Sequence, residues 1–142
     1  MAPRDLPTRD RLVEAGLRVT APRLAVLDML ETTAGHVTAE EVRRDVLDRI
    51  GSVSVQAVYD VLGALTDVGL IRCIDTPGHP ARYEARVGDN HHHFVCRRCG
   101  TTIDIDCAMG EAPCLVPHAL PAGFAVDEAE VTYWGTCVNC TT

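Results

Sequence analysis

Apolar side chains recur at helical spacing through the first half of the chain, and the polar residues between them mark where each helix starts and stops. Leu24, Leu27 and Leu30 share one face of a helix opened by Thr20, with Pro22 in its first turn. Before it, a shorter helix runs from Thr8 as its cap through Leu12 and Val13 and ends near Gly16. Thr38 as N-cap and Glu41 three residues later form a capping box, followed by Val42, Val46 and Ile50 on an inner face and Gly51 as a stop. Ser54 caps a fourth helix with Val58, Val61, Leu62 and Leu65 turned inward and Gly69 past its end. "LIRCI" and "ARYEARV" then read as strands around the turn-forming "DTPGHP". Short helices followed by a hairpin predict a winged helix-turn-helix.

In that arrangement the Ser54–Leu65 helix enters the major groove of double-stranded DNA, with Gln56 and Tyr59 facing base edges. Asp60, beside them, is unfavourable toward phosphate. A small helical domain that binds protein, or nothing, has the same apolar pattern. Charge changes this picture only locally. The net charge of −7 divides into −2 over residues 1–86 and −5 over residues 87–142. A near-neutral first half permits a basic face without showing one.

At 142 residues with 46% hydrophobic content, the chain can hold two small domains. Each is marginal without a metal or a partner subunit. No apolar run reaches the roughly 18 residues of a membrane span, and "MAPRDLPTRDRL" has no apolar signal region, so no membrane association and a cytoplasmic location are expected. In that compartment seven cysteines point to metal or redox chemistry.

The second half concentrates that chemistry. Cys96 and Cys99, and Cys137 and Cys140, are two C-x-x-C pairs able to close a four-sulfur tetrahedral Zn(II) site with no open position, a structural brace. Two separate redox pairs are the competing reading. His91 and His93 share one face of a strand while His92 points to the other. His36, Glu84 and Asp104 are candidates to complete a mixed nitrogen and oxygen site suited to Fe(II), Mn(II) or Zn(II). Such a site would tie one half of the chain to the other.

Together, "GLRVTAPRLAVLDML", "HVTAEEV", "VSVQAVYDVLGALTDVGLI", "YEARVGDNHHHFVCRRCG" and "CVNC" resemble the ferric uptake regulator family over nearly the whole length. "RVGDNHHHFVCRRCG", "DCAMGEAPCL" and "DEAEVTYWG" are most similar to an actinobacterial branch associated with redox-responsive control of catalase-peroxidase genes. The resemblance implies an α+β chain: a winged helix over 1–86, a hinge at 87–90, and a small α/β dimerisation domain over 91–142. It implies structural Zn(II) on Cys96, Cys99, Cys137 and Cys140, and a regulatory Fe(II) or Mn(II) ion on His36, Glu84, His91, His93 and Asp104, with Zn(II) also accepted there. It places a base-contacting tyrosine at Tyr59 and a minor-groove basic residue at Arg18, and implies a homodimer on an inverted-repeat operator.

The function implied is a metal-dependent repressor, redox- or peroxide-responsive; an iron-responsive repressor of metal-uptake genes is the alternative. A further family metal site is not expected, because Asn90 and Ala129 stand where it has histidines and leave His92 and Glu111 with too few partners. Asp60 stands where arginine is common, and Glu84 where peroxide sensors of the family usually have Asp. Cys73, Cys107 and Cys114 offer a thiol route to redox sensing, although unplaced cysteines are more often small core residues. A zinc metallohydrolase would use the same histidines and carboxylates, but no separate acid–base pair accompanies them, and no enzymatic activity is expected. A metal-buffering or protein-interaction module is the third class.

Overall fold

The computed structural model describes residues 6–85, 91–109 and 113–141. The hinge expected at 87–90, with Asn90, and Glu111 lie outside them. The chain divides into two compact units, Met1–Val87 and Gly88–Thr142.

The first unit holds α1 (Thr8–Glu14), α2 (Ala21–Thr32), β1 (Val37–Thr38), α3 (Ala39–Ile50), α4 (Val55–Asp67), β2 (Arg72–Ile74) and β3 (Arg82–Glu84). Its caps follow local chemistry. Thr20 Oγ1 accepts from Arg23 N at 3.3 Å. Thr38 Oγ1 accepts from Glu41 N at 3.3 Å while Thr38 N donates to Glu41 Oε2 at 2.7 Å, which satisfies two N–H groups that the helix itself leaves unpaired. Ser54 Oγ accepts from Ala57 N at 3.0 Å. Gly51 closes α3 at φ 83°, a left-handed conformation in which a Cβ is strained.

Thr8 corrects the sequence expectation. It is the first residue inside α1, the N-cap is Pro7, and no side chain caps this helix. Arg11, buried on α1, instead forms an ion pair with Glu31 of α2. Leu12, Val26, Leu27, Val42, Val46, Val58, Leu62, Leu65 and Ile71 form one apolar core. The three-stranded sheet has the order β1-β3-β2, antiparallel throughout. β1 was not foreseen, and the wing strand is shorter than "ARYEARV".

The second unit has one sheet of order β5-β4-β6, formed by β4 (His91–Cys96), β5 (Thr102–Asp106) and β6 (Thr132–Gly135). β4 pairs antiparallel with β5 and parallel with β6. Among the described residues this unit contains strands and no helix, and every described helix lies in the first unit. Its interior is also unlike the first. The side chains buried on β4 are His91, His92, His93, Val95 and Cys96. Gly135 leaves the space taken by the Phe94 ring, since a Cβ there would lie 2.8 Å from it.

Candidate metal centres and nucleic-acid interface

Two chain turns bring four sulfurs together. Gly100 N donates to Cys96 O at 2.9 Å, and Cys140 N to Cys137 O at 3.0 Å. The first turn places Gly100 at φ 77°. Arg97 N bonds Gly135 O at 2.9 Å, and Arg98 Nη1 bonds Cys140 O at 3.2 Å, so each turn is tied to the other. The Sγ atoms of Cys96, Cys99, Cys137 and Cys140 all lie within 4.8 Å of one another, with Cys99 and Cys137 3.6 Å apart.

The electrostatics fit a divalent cation. Cys137 N donates to Cys96 Sγ at 3.4 Å, and this bond, with another from the backbone of Cys99, lowers the Cys96 thiol to about 6. Cys140 is pushed up to about 12, first by its hydrogen bond with Cys137 and then by burial and the remaining sulfurs. Four thiolates so close repel, and only a cation lets all four ionise. Four soft donors in a closed set suit zinc.

The regulatory candidates fall into two groups, one in each unit. In the first unit β3 ends on Glu84, and His36 stands just before β1, which pairs with β3. His36 Nε2 lies 2.7 Å from Glu84 Oε2, and both side chains are buried. In the second unit the β4–β5 register sets His93 opposite Asp104. Asp104 Oδ1 lies 3.5 Å from His91 Nε2 and 3.5 Å from His93 Nε2. The two rings meet edge to face at 4.9 Å.

Glu130, which the sequence reading did not single out, lies 3.1 Å from His93 Nδ1 through Oε1. An ionised carboxylate only accepts, so Nδ1 carries the proton and Nε2 keeps its lone pair for a cation. The signal was present in "DEAEVTYWG", but only β6 brings Glu130 beside a histidine 37 positions away.

His92 departs from expectation. It is buried and well partnered: Cys114 Sγ lies 3.2 Å from its Nε2, and Val131 N donates to its Nδ1 at 3.1 Å. Cys107 joins His92 and Cys114 in a third cluster within 4.8 Å. Nor are the unplaced cysteines core residues: Cys73 is exposed, and Cys107 and Cys114 are half-buried. Ala129 contributes only its carbonyl, 3.8 Å from Cys114 Sγ.

On α4, Tyr59 is 52% exposed; Gln56 is exposed beside it, and Gln56 Nε2 donates to Asp60 Oδ1 at 2.8 Å. That bond turns the Asp60 carboxylate toward Gln56 and leaves the Gln56 carbonyl oxygen and Asp60 Oδ2 as acceptors of this pair. Ser54, the cap, is exposed, and so is Arg18, whose carbonyl accepts from Arg23 Nη1 at 2.8 Å. α4 itself carries no basic residue, so any attraction to phosphate comes from the segments around it.

A sequence profile of the ferric uptake regulator family matches residues 14–113. The chain belongs to the ferric uptake regulator family. Its members are metal-responsive transcriptional regulators and not enzymes. The chain is 53% identical over 131 residues to the transcriptional regulator FurA of Mycobacterium tuberculosis, which covers 92% of this chain and 88% of that protein. In structure it is similar to the ferric uptake regulator of Pseudomonas aeruginosa solved with manganese, with a TM-score of 0.73 and 25% identity over 94% of this chain and 99% of the other. A zinc uptake regulator complexed with zinc and DNA matches with a TM-score of 0.65 and 20% identity over 98% and 95% of the two chains. The fold is thus a winged-helix DNA-binding domain followed by a dimerisation domain. Among the described residues no helix is long and apolar enough to cross a membrane.

Proposed function

We propose that this chain is a cytoplasmic homodimeric repressor that binds an inverted-repeat operator when a regulatory Fe(II) or Mn(II) ion is held by His36, Glu84, His91, His93 and Asp104. The observation that carries the reading is the division of these donors into two incomplete sets, His36 with Glu84 in one unit and His91, His93 and Asp104 in the other. Neither set completes the coordination of a hard or borderline divalent ion. Drawing on both would favour one arrangement of the DNA-binding domain against the dimer. Such an ion supplies positive charge that several buried carboxylate and imidazole donors share; the chain's part is to orient those donors. Cys96, Cys99, Cys137 and Cys140 hold structural Zn(II) and keep β4, and with it the histidines, in place.

Dimerisation finds support in the apolar surface of the second unit. Val116 is 83% exposed and Phe124 69%, with Leu115, Tyr133 and Trp134 also open; large apolar side chains left in solvent are what a second subunit would cover. The operator is read by Gln56 and Tyr59 from α4, with Ser54 at its N-terminus and Arg18 contacting the minor groove or backbone. A redox- or peroxide-linked response, with catalase and other oxidative-stress genes as targets, rests on the motif resemblance and on the unassigned thiols near His92. The competing iron-responsive control of uptake genes would need no thiol.

Operator affinity with and without Mn(II), in the wild type and in His91→Ala/His93→Ala, tests the reading. The wild type is expected to gain about 100-fold, or roughly 2.7 kcal/mol. The double variant is expected to keep its zinc and its dimer but lose the gain. A gain that survives in the variant would remove these histidines from control.

A further inference from the structure

Adjacent histidines on β4 are set into opposite tautomers by the chain beside them. At His93 the Glu130 carboxylate draws the proton to Nδ1. At His92 the backbone N–H of Val131 occupies Nδ1 at 3.1 Å, so the neutral ring carries its proton on Nε2. That N–H points to Cys114 Sγ, 3.2 Å away. A metal-bound imidazole has the reverse arrangement: the free nitrogen donates to an acceptor, and the ligating nitrogen has no proton. Although the donor atoms of His92, Cys107 and Cys114 all lie within 4.8 Å, His92 is therefore built as a hydrogen-bond donor to sulfur and not as a cation ligand. What remains is two close thiols with a fixed N–H donor on one of them.

We infer that Cys107 and Cys114 form a redox-active dithiol, a modification site for hydroperoxides, with His92 as its positioning residue. The inference supplies a site for the peroxide response proposed above and rests on that reading only for its physiological use. Both sulfurs are half-buried, within reach of a small oxidant and near enough to bond after a modest shift of the chain toward the roughly 2.05 Å of a disulfide. Cys114 Sγ donates to Ala129 O at 3.8 Å, and burial, with its hydrogen bond to Cys107, raises this thiol, so Cys114 keeps its proton and Cys107 is the attacking group. The Cys107 thiolate takes the distal oxygen of ROOH. The O–O bond breaks, ROH leaves with a proton, and Cys107 becomes a sulfenic acid. The Cys114 sulfur then attacks the Cys107 sulfur, the S–OH bond breaks, and water carries away the hydroxyl and the thiol proton. In sum, two thiols and one hydroperoxide give a disulfide, an alcohol and water. The His92 Nε2–H stabilises the Cys114 sulfur as its proton leaves. The other cysteines are less suited. Four face one another as the zinc set, and Cys73 pairs with the Tyr83 hydroxyl.

The test uses reduced, zinc-loaded full-length protein and one equivalent of an alkyl hydroperoxide. Remaining thiols are alkylated, and zinc release is followed with a chromogenic chelator. Cleavage after Glu111 puts the two cysteines on separate peptides unless a disulfide joins them, and fragmentation distinguishes Cys107 from Cys96 and Cys99. The expected product is a Cys107–Cys114 disulfide formed before zinc is lost. Cys114→Ser should abolish it. His92→Leu should slow it about tenfold, the loss of one hydrogen bond to a charged group, while His92→Gln, which retains an N–H donor, should keep most of the rate. Alkylated Cys107 and Cys114 alongside oxidised zinc cysteines would overturn the assignment. A rate unchanged in His92→Leu would remove the positioning role. Because no DNA is used, these results stand apart from success or failure of the repressor reading.

Discussion

The first unit is held by an apolar core of helical side chains, whereas the second buries three histidines and a cysteine around a single valine on its central strand. The first packs the inner faces of its helices together, and α2, α3 and α4 are capped by side chains. The second leaves large apolar side chains such as Val116 and Phe124 in solvent. Burial of that apolar core is the main force holding the first unit together. The second has no comparable apolar core among the described residues, and its cysteine cluster and exposed apolar side chains fit the cation and second subunit proposed above as further sources of free energy. In the proposed regulator this division would let the half that reads DNA stay folded while the half that senses depends on what it binds.

The two units should differ most in their response to loss of zinc. Cys96→Ser, or removal of zinc with a chelator, is expected to unfold the second unit and dissociate the dimer while leaving the helical signal of the first; circular dichroism with sedimentation analysis would show both. Retained dimerisation would mean that the second unit stands without its brace. Leu62→Ala, in the core of the first unit, should cost about 3 kcal/mol in denaturant unfolding and leave zinc content unchanged.

Glu130→Gln sharpens the account of the sensing half. An amide can donate to His93 Nδ1 and so move the ring proton to Nε2, and Mn(II) affinity by calorimetry should fall about 10- to 100-fold. Glu130→Asp should recover part of it. The smallest expected effect is Thr38→Ala, which removes half of the α3 capping box and should lower the stability of the first unit by about 1 kcal/mol without changing metal affinity.

These differences also explain what could be read from sequence. Caps and periodic apolar faces are local, so Thr20, Thr38, Ser54 and Gly51 marked their helix ends before the structure placed them. Thr8 misled because the chain turns into the helix one residue earlier, at Pro7, which leaves Thr8 as the first helical residue. β1 was missed because two residues carry no periodicity and only pairing with Tyr83 and Arg82 makes them a strand. That Cys96, Cys99, Cys137 and Cys140 gather in one place was legible from two C-x-x-C spacings, and the H-x-H pair from strand alternation. Glu130, and the partners of His92, were not. Cys114 and Val131 lie 22 and 39 positions from His92, and the link between β5 and β6 has no repeating pattern to follow.

In the proposed mechanism one cation and one operator favour the same arrangement of the two units, so their binding is linked. The Kd of Mn(II), measured on zinc-loaded dimer with and without saturating operator DNA, tests it most directly. Linkage requires the two effects to be reciprocal: operator should tighten Mn(II) binding by the same factor, about 100-fold, by which Mn(II) tightens operator binding. Equal Mn(II) affinities with and without operator would contradict the account.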